Sequence, residues 1–248
     1  MIKSQNKTNI SGWGGYPVQK AKVLYPEKID QIITEIKKGD LIARGNGRAY
    51  GDSSINEKKT INMKYLNHII SFDDISGILV VESGILLDDI INTFLPKGWF
   101  PYVTPGSKFV TIGGLIAADV HGKNHHKEGS FRNFVEWFEI INSNGEIKKC
   151  SKKENSNLFE WTIGGMGLTG IIIRAAIKLR PVQTSWIKQK TLIAKNIDQT
   201  LEIFENNMNA TYSVAWINST KTEDNIGQSL VMLGEHALLK DLDKKNVK

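Results

Sequence analysis

The chain is poor in cysteine: Cys150 is the only one among 248 residues. That excludes an internal disulfide and fits a reducing compartment. Cys150 follows Lys148-Lys149 at the end of an expected hairpin strand and has no evident catalytic partner. Long apolar runs are also missing. The longest, around Gly170 to Ile173, fall far short of the ~20 residues that a membrane-crossing helix needs. No basic segment followed by an apolar one opens the chain, so export through a signal peptide is not expected. Helix-turn-helix, zinc-finger and aromatic ribonucleoprotein signatures are absent, and the formal charge of +6 is therefore not read as nucleic-acid binding. The lysines are scattered except for Lys240 to Lys248, a cluster expected to be solvated and frayed. A milder use for such charge is attraction of phosphate-bearing small molecules.

What the sequence does have is glycine, 22 residues of it, gathered in three segments. The first is Arg44-Gly45-Asn46-Gly47-Arg48-Ala49-Tyr50-Gly51-Asp52, placed after the short apolar run Leu41-Ile42-Ala43. Glycines here let a ligand lie against the main chain, and successive N–H groups make a concavity suited to phosphate oxygens. The two arginines add bidentate donors. A pyrophosphate-bearing cofactor is one reading, and a Gly-rich surface turn with solvated arginines is the other. The third glycine of a dinucleotide fingerprint falls where Tyr50 stands, which disfavours a Rossmann NAD site.

The surrounding elements place this loop. The first twenty residues, with Trp13 and Tyr16 as anchors, read as an irregular arm, and Val18 to Tyr25 as a strand. Pro26 opens a helix over Glu27 to Lys38, with Ile29, Ile32, Ile33 and Ile36 on one face and Gly39 at its end. A β-α-β unit thus feeds the glycine loop. Thr60 to Met63, Ile69 to Phe72 and Ile78 to Glu82 read as strands, and Leu86 to Leu95 as a helix stopped by Pro96. A second irregular region, with Pro105-Gly106-Ser107, runs into Thr111-Ile112-Gly113-Gly114. Thr111 is placed to cap a helix through Ala117, giving a second anion-friendly surface. Phe134 to Ser143 and Glu146 to Ser151 make a hairpin around Asn144-Gly145. Leu158 to Trp161 is a short helix. The third glycine segment, Gly164-Gly165-Met166-Gly167-Leu168-Thr169-Gly170, leads into a strand from Ile171 to Leu179 that ends before Pro181. Beyond it come a strand over Trp186 to Ile193, a helix near Asp198 to Met208, a strand over Tyr212 to Ile217, and a polar tail.

The densest set of reactive side chains is Ala118-Asp119-Val120-His121-Gly122-Lys123-Asn124-His125-His126. It lacks the spacing of His-Glu-x-x-His zinc sites, and no metal site is expected. No Gly-x-Ser-x-Gly elbow supports a nucleophilic serine. Three glycine segments at strand or helix ends point instead to one long ligand lying against backbone in several places, and FAD satisfies this better than a mononucleotide.

These motifs, in this order, resemble the FAD-binding domain of the vanillyl-alcohol oxidase (PCMH-type) flavoproteins. The resemblance is strongest to the decaprenylphosphoryl-β-D-ribose 2′-oxidase branch and more distant to the sugar-lactone oxidases. It implies that Arg44 and Gly45 to Asp52 hold the pyrophosphate. Pro105, Gly106, Ser107, Thr111 to Gly114 (with Ile112 and Gly113), Ala118, Asp119, Val120, His121 and Gly122 would line the rest of the cofactor. Gly167, Thr169, Gly170, Ile171 and Ile172 would complete the set, Ile172 backing the adenine. His121 near the flavin ring and Lys123 beside the sugar phosphate are the implied catalytic residues. Relatives that attach flavin covalently do so through a histidine where this chain has Arg48, so the FAD is expected to be non-covalent.

The fold implied is α+β. It has an arm over 1–12, a two-subdomain PCMH-type FAD domain over 13–181, and an incomplete α+β substrate domain over 182–248. Members of the branch run well beyond 248 residues, so a fragment is expected, or a second chain that supplies the rest. The implied activity is oxidation of a secondary alcohol on a sugar, with hydride transfer from C2 of a polyprenyl-phosphoryl ribose. A short-chain reductase would be the partner, with no nucleic acid, and the location cytoplasmic with peripheral membrane contact through the lipid-linked substrate. The alternatives are an aldonolactone oxidase and a non-catalytic FAD-binding fragment.

Overall fold

The computed structural model describes residues 2–242, so residues 243–248 of the lysine cluster lie outside the described residues. Strand β1 (Lys3–Ser11) pairs antiparallel with β2 (Val18–Tyr25). The expected irregular arm is therefore a strand over most of its length. It is a polar edge strand held by its ladder hydrogen bonds, and without a buried face no apolar alternation marks it. Helix α1 (Ile29–Ile36) buries Ile32 and Ile36. Strands β3 (Ile42–Arg44) and β4 (Thr60–Asn62) run parallel to each other, and β4 also runs parallel to β2. The sheet order is β1-β2-β4-β3, so β4 lies between the two strands of the expected β-α-β unit.

The second sheet follows. Strands β5 (Ile69–Asp73) and β6 (Ile78–Glu82) precede α2 (Leu87–Phe94), β7 (Trp99–Pro101), α3 (Ile112–Ala117) and α4 (His125–Glu128). Strands β8 (Val135–Ile141) and β9 (Ile147–Ser151), helix α5 (Ser156–Thr162) and β10 (Ile171–Pro181) complete it. The order is β5-β6-β10-β8-β9, with β7 paired to the far end of β10. Strand β10 runs through Pro181 rather than stopping before it. Pro181 sits opposite Trp99 of β7, beyond the last residues that pair with β6 and β8, where a missing N–H is tolerated.

Side chains alternate across a strand, and an irregularity in the pairing of β10 with β8 between Ile172 and Arg174 shifts that alternation by one, so β10 serves two cores. Ile171 and Ile173 pack with Leu24, Ile32 and Ile61 of the first sheet layer. Ile172, Ala175 and Ile177 face the larger core of Leu79, Ile90, Leu115, Phe138 and Phe159. The β-branched run is thus the shared wall of both halves, each fully buried Ile contributing about 1.5–3 kcal/mol.

The third sheet comprises β11 (Ile187–Ala194), β12 (Tyr212–Ile217) and β13 (Ser229–His236), in the order β11-β13-β12. Helix α6 (Ile197–Asn206) covers one face through Ile203 and Phe204 against Val231 and Leu192. Residues after Ile217, expected as a polar tail, thus include the central strand of this sheet. On the other face Ile193, Leu230 and Trp216 stand in one cross-strand row and are exposed. No helix among the described residues is long and apolar enough to cross a membrane.

Candidate cofactor cleft

Strand β3 ends at Arg44 and delivers the first glycine loop against α3. Gly45 lies so close that a Cβ there would strike Thr111 Oγ1. The Asn46 amide donates to the Phe109 carbonyl at 2.9 Å, a second tie between the two segments. The third glycine segment docks on the end of α3, with Gly164 N–H donating to Ile116 O at 3.1 Å and Met166 N–H to Ala117 O at 2.8 Å. The result is a cleft of about 870 Å³ lined by residues of all three segments.

Of the residues expected at the cofactor, Gly45, Asn46, Gly47, Arg48, Ala49, Thr111, Gly113, Gly114, Ala118, Val120 and Ile172 line this cleft. The others lie around it. The Arg44 guanidinium is turned away, donating to Ser11 O at 2.7 Å and Ser54 Oγ at 3.2 Å, and burial lowers its pKa. Arg44 therefore braces the loop from behind. Tyr50, Gly51, Asp52 and Gly106 are exposed, and Ser107 Oγ accepts from Phe109 N–H at 3.2 Å. Pro105 precedes them in the same loop. Ile112 and Ile171 point into the cores. Gly122, Gly167, Thr169 and Gly170 lie outside the lining, and Thr169 Oγ1 is bonded to Thr162 Oγ1 at 2.9 Å. Asp119 adopts φ 41°. Its carboxylate accepts from Arg132 N–H at 3.0 Å and Nε at 3.2 Å, which fixes the loop that carries Ala118, Val120 and His121.

The expected anion surface at the start of α3 is not there. Ile112 N–H donates to Ile85 O, Gly113 N–H to Ser83 O and Gly114 N–H to Thr111 Oγ1, so the first turn's donors are already spent. In the first loop, by contrast, no N–H of residues 46–49 donates to a main-chain carbonyl of the described residues. Four main-chain donors and Arg48, whose guanidinium carbon sits 4.8 Å from the Trp13 ring centroid, are what this cleft offers a pyrophosphate.

Sequence reading did not single out Ala43, Ser53, Ser54, Met63, Ser83, Val110, Leu115, Ala117 or Met166, which also line the cleft. Ser83 had one signal, a hydroxyl between the strand-like Ile78 to Glu82 and Gly84.

His121 follows Val120, is exposed, and meets His125 edge to face at 5.2 Å between ring centroids. Lys123 lines a second cleft of about 610 Å³, shared with Phe100 and Thr104 on one side and Ile187, Gln189, Tyr212, Val214 and Met232 of the third sheet on the other. Ser213 N–H donates to Lys123 O at 2.9 Å. The loop from Ala118 to Lys123 thus runs from the first cleft to the second.

The family described as FAD binding domain matches residues 21–151. Decaprenylphosphoryl-beta-D-ribose oxidase of Mycolicibacterium smegmatis is 36% identical over 246 residues, covering 95% of this chain and 54% of that protein. Cytokinin dehydrogenase 3 of Arabidopsis thaliana is 29% identical, covering 67% of this chain and 34% of its own. D-lactate dehydrogenase of Anaerostipes hadrus is 30% identical, with 57% and 31% covered. The chain therefore spans about half the length of the first relative and about a third of the other two.

Proposed function

The chain belongs to the PCMH-type FAD-binding family, and from that premise we propose that it is the FAD-binding part of an oxidoreductase acting on a secondary alcohol of a polyprenyl-phosphoryl sugar. FAD, when bound, supplies a two-electron acceptor for hydride. The residues that would hold it are the main chain of Gly45 to Ala49, Arg48, Thr111, Gly113, Gly114, Ala118, Val120 and Ile172, without a covalent bond. The fit rests on the free N–H groups of the first loop and on the close backbone packing that Gly45 permits.

The observation that carries the substrate side is the loop joining the two clefts. Lys123 brings a cation to the second cleft, while Ile187, Val214 and Met232 give it an apolar wall. That wall continues into the exposed row of Ile193, Leu230 and Trp216. A phosphate on an apolar chain meets both needs, and the decaprenylphosphoryl ribose named for the relative is such a molecule. His121, between the two clefts in the loop, would hydrogen-bond the reacting sugar. On this reading residues 13–181 are the cofactor domain and 182–248 the start of the substrate domain. A lipid-linked substrate places the protein at the cytoplasmic membrane surface, beside a reductase that completes epimerisation.

The test begins with flavin absorbance after reconstitution with FAD. A preparation that takes up no FAD overturns the proposal. Anaerobic bleaching by a short-chain prenyl-phosphoryl ribose, at a KM raised about tenfold or more in Lys123→Ala, is the expected result. Bleaching by free aldonolactone instead would assign a sugar-lactone oxidase, and FAD uptake without bleaching by either would leave a cofactor binder.

A further inference from the structure

Ser83 sits at the end of β6 on the floor of the first cleft, between β10 and the start of α3. Its main chain is fully engaged: its N–H donates to Ile173 O at 2.9 Å and its carbonyl accepts from Gly113 N–H at 2.8 Å. Its side chain is not. The residue is only 2% exposed, and Ser83 Oγ has no hydrogen-bond partner. Gly113 N–H is already used by the Ser83 carbonyl, and no other polar group of the described residues bonds the hydroxyl. The apolar residues Met63, Val110 and Ile172 line the same cleft. Buried hydroxyls are almost always bonded, and one left unsatisfied costs more than an alanine in its place. Alanine would fit this site, since the hydroxyl touches nothing that requires it.

We infer that Ser83 Oγ is a direct hydrogen-bonding contact to a polar group of the bound cofactor, a residue toward FAD that neither the glycine motifs nor the family resemblance marks. The inference rests on the FAD reading of this cleft. Gly113 holds the Ser83 main chain from α3, and β10 holds it from the sheet, so the backbone that carries the hydroxyl is fixed in place before any ligand arrives. Pre-orientation of this kind lowers the entropy cost of binding.

The test is the FAD dissociation constant of the apoprotein and of Ser83→Ala, read from quenching of flavin fluorescence, together with thermal unfolding of both apoproteins. The expected result is an apoprotein at least as stable as the parent, with FAD affinity weakened between about twofold and tenfold, the range of one ordinary hydrogen bond. Ser83→Thr, which keeps the hydroxyl, should lose less affinity than Ser83→Ala if it fits beside Gly113. Equal affinity of Ser83→Ala and parent overturns the inference and assigns the hydroxyl to bound water. An apoprotein destabilised by Ser83→Ala overturns it too, since the hydroxyl would then serve the fold. If the parent itself takes up no FAD, it is the reading of the cleft that fails.

Discussion

At the scale of single residues, the cleft depends on atoms that are not there. Gly45 is glycine because a Cβ would occupy the place of the Thr111 hydroxyl that caps α3. Gly45→Ala should therefore destabilise the apoprotein by about 1–3 kcal/mol through overpacking, measured by urea unfolding, and abolish FAD uptake. Gly106→Ala is the contrast, since nothing lies near its Cβ, and its effect should stay within about 0.5 kcal/mol. Cys150 shows the other side of residue-scale physics. Fully buried, its thiol is pushed up to about 11 by burial, with Glu154 acting in the same direction. It should resist a thiol reagent at pH 8 in the folded state and react at once in urea. Because the raised pKa is a property of the fold, stability from this group is complete below about pH 9 and is lost as pH rises toward 11. Of these residues the glycines were legible in the sequence. Ser83 and Met166 were not, because a lone Ser or Met gains meaning only when the fold turns it toward a cleft.

At the scale of elements, the histidine-rich block turns out to divide its labour. Ala118 and Val120 face one cleft and Lys123 the other, while α4 fastens the third sheet. His126 Nε2 lies 2.8 Å from Ala210 O and carries its proton there, and Lys127 Nζ donates to Asn209 O at 2.8 Å and Thr211 Oγ1 at 3.3 Å. Replacing both with alanine should weaken docking of the third sheet by about 1–3 kcal/mol. The expected sign is faster proteolysis between β10 and β11, with the unfolding of the remaining sheets unchanged. Equal cleavage rates would show that these bonds do not hold the sheet. Elements with a buried stripe were legible: α1 through its Ile spacing, β10 through its β-branched run, the β8-β9 hairpin through Asn144-Gly145. Strand β1 was not, since none of its described side chains is fully buried and pairing with β2 orders it. Strand β13 was missed because its apolar residues follow a polar stretch from Asn218 to Gln228 and end in Glu235-His236, so the alternation is short. The three glycine segments were expected to meet, and they do, but which of their residues face the cleft depended on helix docking that no spacing reveals.

At the scale of the whole molecule, the seam between the third sheet and the rest is where pH should act. His236 of β13 packs edge to face on Phe100 of β7 at 5.6 Å and on Tyr212 of β12 at 5.5 Å, and its Nε2 lies 2.9 Å from Tyr212 Oη. Burial lowers the pKa of His236, Arg180 adds to the shift and Glu235 opposes it, while burial raises the Tyr212 hydroxyl. Arg180 itself is held by Glu128 at 2.6 Å and lies over the Tyr102 ring. Both members of the pair are thus kept neutral near pH 7, and the seam is built for a neutral imidazole. With a folded pKa below the ordinary 6.5, the unfolded chain takes up the proton first as pH falls. Stability therefore drops once pH passes below about 6.5, with a slope of at most about 1.4 kcal/mol per pH unit for this one group. Below the lowered folded pKa the two states bind equally and the slope ends. His236→Gln keeps a hydrogen-bonding amide beside Tyr212 and cannot take up a proton. Urea midpoints measured at pH 7.5, 6 and 5 should show the parent losing stability relative to His236→Gln as pH falls. Parallel curves for the two proteins would mean that the ring is protonated in the folded state as easily as in the unfolded one, and the seam would then have no part in acid sensitivity.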